Sequence, residues 1–318
     1  MNKREFLFLY DAKDCIPNGD PFTGEQRYDE DTQTALVSDV RLKRYIRDFI
    51  DDNENTTTWL NKETDKVFYS DKSGKKTTGM RAAEVSPKED KINNLDDLKQ
   101  KCIDVRLFGT VVAGNKSKSD EYNTQATGAV QFKMFNRTLN KVYLPTTQNT
   151  SVMKSDEKNT QGAMATFSYM PYGLFSCVGY LNSTTAQENS LKEGDLEKMK
   201  VALWNEINTK NTRSKTGQQS RLLIEIEYND DYYKIPDIEY SITLQNEQKF
   251  KYRKFDDIKK DLNFSELEKF LNDSEELINS VNIYIDSFSF GKGFLKLDNL
   301  KDKVKYFLIK GKTIEELK

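Results

Sequence analysis

Apolar and polar positions fall in blocks along the chain, and the first block is the most decisive. Glu5–Asp11 is a dense run of apolar and aromatic side chains that predicts a strand buried on one face or both. Ile16–Gly24 then holds Pro17-Asn18-Gly19-Asp20-Pro21, a concentration of turn signals. Next, Leu42, Tyr45, Ile46, Phe49 and Ile50 recur at helical spacing, with Ser38 placed as N-cap and Asp39 suited to the positive end of the helix dipole. Lys43, Arg44 and Arg47 fall together on the flank of that helix, beside the turn-rich loop.

Further on the pattern thins. Residues 51–101 are polar and predict an inserted surface segment, partly helical near Leu95–Lys101. Cys102–Gly114 and Thr127–Phe135 read as strands interrupted by glycine, joined by the polar loop Asn115–Ala126. Residues 136–170 show no clear period. Gly173–Leu181, Arg221–Tyr228, Tyr240–Leu244 and Val281–Phe290 predict further strands. Gly194–Thr209 predicts an amphipathic helix through Leu196, Met199, Leu203 and Ile207, and more helices are expected at Phe255–Leu262, Ser265–Leu271 and Asp298–Leu308. The order strand, helix, strand, strand, helix, strand predicts an α+β fold. It is one domain over residues 1–318 with a split βαβ, ferredoxin-like core and long insertions.

Composition narrows the chemistry. With 31% charged and 11% aromatic residues, the chain reads as a soluble globular protein. The start, MNKREFLFLYDA, reads as a strand and not a signal peptide, and no apolar run reaches bilayer length. Cys15, Cys102 and Cys177 are scattered, so neither a disulfide framework nor a zinc site is expected, and a cytoplasmic location fits. The sequence has 0 histidines, which excludes Ser-His-Asp and Cys-His catalysis and histidine metal sites. That absence argues for binding over catalysis, and no cofactor is expected.

The net charge of −2 hides a segregation by sign. No acidic residue lies between Tyr122 and Ser155, a stretch that carries Lys133, Arg137, Lys141 and Lys154. From Asn205 to Arg221, Lys210, Arg213, Lys215 and Arg221 face only Glu206. Three segments therefore suit a phosphate backbone. The turn amides at Asn18 and Gly19, with Lys43, Arg44 and Arg47, can hold successive phosphates; a plain solvated helix face is the competing reading. The loop Asn211–Arg221 combines Arg213 and Lys215 with Ser, Thr and Gln218 donors that suit phosphate and the RNA 2′-hydroxyl. Residues 136–170 interleave basic side chains with Met153, Met164 and Phe167, whose tips can wedge between bases, or pack into a small core of their own. Asp11, Asp14, Asp20, Asp29, Glu30 and Asp31 form an acidic cluster that matches no specific metal motif.

FLFLYDAKDCIPNGDP, VSDVRLKRYIRDF, DVRLFG, TGAVQF and TRSKTGQQSRLLIEIEY occur in this order between residue 5 and about 228. Together they resemble the CRISPR-associated RAMP-superfamily backbone subunit of type I Cascade complexes, most like the type I-B branch. The resemblance implies a modified RRM-like palm with a thumb and inserted finger segments. It implies a helical homo-oligomer along the spacer of a CRISPR RNA, which then pairs with target DNA. Other Cascade subunits and a recruited helicase–nuclease are the implied partners; no membrane is involved, and the subunit itself is not a nuclease. Mapped onto this sequence, the implied RNA contacts are Asn18, Gly19, Ser38, Lys43, Arg44, Arg47, Arg213, Lys215 and Gln218, with Lys133 and Arg137 added from the acid-free segment. Composition places the thumb at about Asn136–Met170. Two positions depart from the family pattern: Ala129, where proline is frequent, and Ile16 after cysteine. Related type III subunits cut target RNA with a loop aspartate, so Asp29 in the Asp29–Asp31 loop carries the alternative of a metal-dependent RNA endonuclease.

Overall fold

β1 (Arg4–Cys15) is covered on both faces through its middle, which is why residues 6–10 run without polar interruption. Phe6, Phe8 and Tyr10 point into one core, Leu7 and Leu9 into another. The computed structural model describes residues 1–54, 58–70, 74–86, 94–112, 124–150, 164–246 and 250–317. After β1 come β2 (Tyr28–Asp29), β3 (Thr34–Ser38) and α1 (Asp39–Asn53). The inserted region holds α2 (Thr78–Val85), α3 (Asn94–Lys101) and α4 (Ile103–Phe108), followed by a small sheet of β4 (Gly109–Val112) and β5 (Thr124–Thr127). β6 (Val130–Phe132) and β7 (Phe135–Thr138) return to the main sheet, and β8 (Thr146–Thr150) pairs with β9 (Met164–Ser168) as a separate ribbon. β10 (Met170–Leu181), α5 (Ser183–Glu188), α6 (Glu193–Thr209) and β11 (Gln218–Tyr228) follow. The C-terminal part adds β12 (Thr243–Leu244), α7 (Phe255–Lys259), β13 (Leu262–Asn263), α8 (Ser265–Asp273), β14 (Ile278–Ile285), β15 (Val304–Lys310) and β16 (Thr313–Glu316).

The central ladder runs β11-β1-β10-β6 and is antiparallel throughout, with β7 taking over from β6 along β10. α1 and α6 pack together over Phe6, Phe8 and Tyr10, α6 through Leu196, Met199, Leu203, Trp204 and Ile207. The opposite face is covered by the C-terminal part, through Ile235, Ile238, Phe255, Leu267, Leu271 and Leu300. β14, β15 and β16 extend one edge and β3 and β2 the other. Among the described residues no helix is long and apolar enough to cross a membrane. All three cysteines are free and buried.

Five sequence expectations are corrected. Cys102–Gly114 is not one strand: α4 precedes β4, because Ile103 to Phe108 are all buried and a short apolar run does not distinguish helix from strand. Asp298–Leu308 is not a helix: a 3-10 turn, Asp298–Lys303, leads into β15, which pairs in parallel with β14. Tyr240–Leu244 reduces to the end of a 3-10 turn and the short β12, and Phe255–Leu262 to the short α7 with β13. Asn136–Thr138 belongs to the main sheet, so the separate ribbon begins at Thr146.

DVRLFG is an internal tie. Asp104 accepts the backbone N–H groups of Phe68 (2.7 Å) and Tyr69 (3.2 Å) and a bond from Arg47 Nε (3.0 Å). Arg106 makes a two-pronged contact with Asp195, both bonds 2.8 Å, and also reaches Asp65 and the carbonyls of Thr64 and Lys99. Gly109 ends the motif at φ +76, where a Cβ would lie 2.1 Å from the Ala126 carbonyl oxygen. The motif thereby fastens the inserted segment to α1 and α6.

Candidate nucleic-acid interface

The end of β1, the start of α1 and the loop before β11 meet at one place. Asn18, 8% exposed, is the hub: its Oδ1 accepts Ser38 N (2.7 Å) and Ser38 Oγ (2.9 Å), and its own N–H donates to Gln26 Oε1 (2.9 Å). Ser38 Oγ in turn accepts Arg41 N at 3.3 Å, capping α1 as its sequence predicts. Gly19 forms a bridge with Gln26, but the left-handed residue of this turn is Gly24, at φ +72. Tyr45 OH donates to Gln218 Oε1 (2.8 Å), and Lys215 donates to the carbonyls of Ile16 and Pro17. Gly217 sits at φ +105 with its carbonyl accepting Lys13 N, so close that a Cβ would meet Lys13 O at 2.4 Å. Asn18, Gly19, Ser38, Lys215 and Gln218, far apart in sequence, thus form one seat.

The helix cations have different fates. Lys43 is bonded to Asp39 (3.2 Å) and Gln131 (2.9 Å). Arg44 pairs with Asp48, which Lys210 shares at 3.0 Å. Arg47 is held by Asp104 and stacked on Tyr69 and Phe108. Arg41, which the sequence reading does not single out, is the exception. Its guanidinium lies 4.0 Å over the Tyr45 ring, and its Nε and Nη2 are enclosed without a hydrogen-bond partner among the described residues. A buried charged donor left in this way costs free energy that an anion recovers. Burial first, and then the Arg41 charge, push the Lys215 ammonium down to about 8. Two cations without a carboxylate partner among the described residues therefore crowd the α1 end of the seat. The sequence carries a signal for this: Lys43, Arg44 and Arg47 each have an aspartate four residues away, whereas Arg41 has none at three or four.

Beside this seat lies the start of the β8–β9 ribbon. Phe167, near its base, carries the Arg213 guanidinium at 4.3 Å from the ring centre. Together with Ile16, Thr147 and Tyr169 they line a cleft of about 470 Å³. Phe167 is consequently a base-of-ribbon residue and not a tip. Met153 lies outside the described residues, and of Met164 only its place in β9 is described.

Lys133 and Arg137 lie elsewhere, on the sheet face opposite α1. Lys133 is bonded to Glu239 and Arg137 to Asp29. Asp29 also accepts backbone N–H groups of Asp31 (3.1 Å) and Thr32 (3.4 Å), an Asx turn. Burial nudges the Asp29 carboxyl up, but the bonds from Arg137 and Thr32 outweigh it and hold the group below the usual range. Among the described residues no three acidic or cysteine side chains converge as a metal site would require. Asp29 is engaged as the partner of Arg137, an arrangement that does not favour the endonuclease alternative.

Fold and site together define a mixed α/β sheet protein with a seat of amides and cations at the end of its central strand, where Arg41 and Lys215 have no carboxylate partner among the described residues. The chain belongs to the CRISPR-associated protein Cas7 family, whose model matches residues 2–263. A CRISPR-associated protein Cas7 from Haloferax volcanii is 28% identical over 314 residues, covering 94% of this chain and 89% of that one. A chain of a CRISPR RNA-guided surveillance complex, pre-nicking, superposes with a TM-score of 0.54 at 13% identity, over 93% of this chain and 94% of that chain. That likeness is one of fold.

Proposed function

We propose that this chain is a guide-RNA-binding backbone subunit of a type I CRISPR surveillance complex, holding the guide by its phosphates and leaving its bases to pair with target DNA. The carrying observation is the pair Arg41 and Lys215, two cations without carboxylate partners among the described residues, beside the capped start of α1. Family membership supports the same reading. The strand order β11-β1-β10-β6 with α1 and α6 on one face supports taking this core as the split βαβ palm. In this reading the β8–β9 ribbon serves as the thumb, copies of the chain repeat along the guide, and a separate helicase–nuclease cuts the target.

Phosphate-based binding has a clear signature. Unrelated RNAs of equal length bind with similar affinity, and the logarithm of that affinity falls linearly with the logarithm of salt, by roughly 0.7 per phosphate neutralised. Filter binding across salt concentrations checks this; a flat salt response or a strong preference for one sequence overturns it. Adding complementary RNA and Mg²⁺ to the assembled complex leaves that RNA intact; regular cuts abolished by Asp29→Ala would restore the endonuclease.

The seat also predicts a pH dependence. The Lys215 ammonium, pushed down to about 8 in the unliganded protein, is favoured again beside a phosphate, so RNA binding above pH 8 takes up a proton. Affinity is steady below pH 8 and declines as pH rises above it. Free-protein stability moves the other way: Lys215 titrates lower folded than unfolded, so stability rises from about pH 8 towards the ordinary lysine value, ~10.4. RNA titrations from pH 7 to 10 check the first trend, and Lys215→Arg should flatten it. The nearby Cys15 thiol, which burial raises to about 12, stays neutral throughout this range.

A further inference from the structure

We infer that the open face of β7 is a second nucleotide site, one that stacks a single unpaired base. Phe135 and Arg137 stand two residues apart on β7, so strand alternation sends both to one side of the sheet, and Lys133, just before the strand, is held there by its pairing with Glu239. All three line an open cavity of about 590 Å³, with Tyr240 on the facing wall. Phe135 is 42% and Tyr240 61% exposed, so each offers a ring face to the cavity. Arg137 gives only Nη1 to Asp29, and its side chain is 41% exposed, so its remaining donors face outward.

The floor of the cavity carries the second argument. Ser176, directly across from Arg137 in the ladder and 5% exposed, has a buried Oγ without a hydrogen-bond partner among the described residues. Glu239 spends one carboxylate oxygen on Lys133 and leaves Oε2 buried and likewise unpartnered. Two orphaned oxygens under an aromatic and cationic rim match a nucleotide. The ring stacks on Phe135 or Tyr240, its N–H edge donates to Ser176 and Glu239, and its phosphate meets Lys133 and Arg137. The sheet separates this site from Arg41, so it does not depend on the seat at α1. The unpaired nucleotide has two sources: a base displaced from the bound RNA, or a second single strand.

Photocrosslinking separates these sources. In one arm the full-length chain is assembled on RNA containing 4-thiouridine. In the other, single-stranded DNA containing 4-thiothymidine, not complementary to any bound RNA, is added to the chain with and without unlabelled RNA. Digestion and mass spectrometry then locate the adducts. Adducts on the peptide of Phe135 or Tyr240 are expected, in the first arm for a displaced base and in the second for another strand. Phe135→Ala should lower their yield about tenfold, as loss of one stacked base does, and Phe135→Tyr should restore it. Adducts confined to the neighbourhoods of Arg41 and Lys215 in both arms overturn the inference, as does a yield indifferent to Phe135→Ala. Failure to assemble on RNA would instead count against the guide-binding reading, while the DNA arm on the free chain still tests this face.

Discussion

Arg41→Gln lowers RNA affinity by roughly tenfold to a hundredfold while leaving the free protein at least as stable as before. The binding loss follows from the bond removed: a hydrogen bond to a charged group is worth about 1.5–3 kcal/mol. The stability expectation has the opposite sign, because the substitution removes enclosed guanidinium nitrogens that lack a partner among the described residues. With one phosphate fewer neutralised, the salt slope also falls by about 0.7. Arg44→Gln is the informative comparison. Arg44 already pairs with Asp48 on the helix surface, so meeting a phosphate only exchanges one anionic partner for another. Surface pairs of this kind contribute about 0–1 kcal/mol, and the variant should bind within a few-fold of the parent. Salt-dependent filter binding and thermal melts of both variants check the pair. Equal losses for Arg41 and Arg44 would mean that the whole helix flank grips RNA and that the enclosed guanidinium has no special part.

The elements legible in the sequence are those with one unambiguous burial pattern. β1 and β11 carry dense apolar runs at 6–10 and 222–224, because both faces are covered there, and α1 and α6 show a full apolar stripe. α4 and β15 are not legible in this way, because each is short and its identity is set by partners elsewhere: Asp195 and Asp65 for α4, β14 for β15. The charge map changes most on folding. Along the chain, the acid-free stretch from Tyr122 to Ser155 reads as a reservoir of open cations. In the fold Lys133 meets a glutamate 106 residues away and Arg137 an aspartate 108 residues away. Conversely, Arg41 sits in a motif that also contains acids, yet it ends without one, because the local spacing around it holds none. Segregation along a chain is therefore a weaker guide to phosphate sites than the absence of a carboxylate three or four residues away on the same helix.

Arg106→Gln should destabilise the protein by about 3–5 kcal/mol, the range for removing one partner of a buried ion pair. The Arg106 side chain is only 4% exposed and joins three parts of the chain: Asp195 on α6, Asp65 in the inserted segment, and the carbonyls of Thr64 and Lys99. Glutamine cannot reproduce the two-pronged contact with Asp195, and it leaves that carboxylate buried with only the Lys192 N–H among the described residues. Asp65 suffers less, because Lys198 and the Asn61 N–H still hold it. The loss should be local before it is global: hydrogen exchange should accelerate first around 61–69 and 94–102, the segments tied through Arg106 and Asp104. Urea unfolding measures the total. RNA affinity per folded molecule should stay within about twofold, since the tie lies apart from Arg41 and Lys215. A variant of near-normal stability that no longer bound RNA would move DVRLFG from the scaffold to the interface. The inserted segment would then have to be counted among the groups that touch the guide.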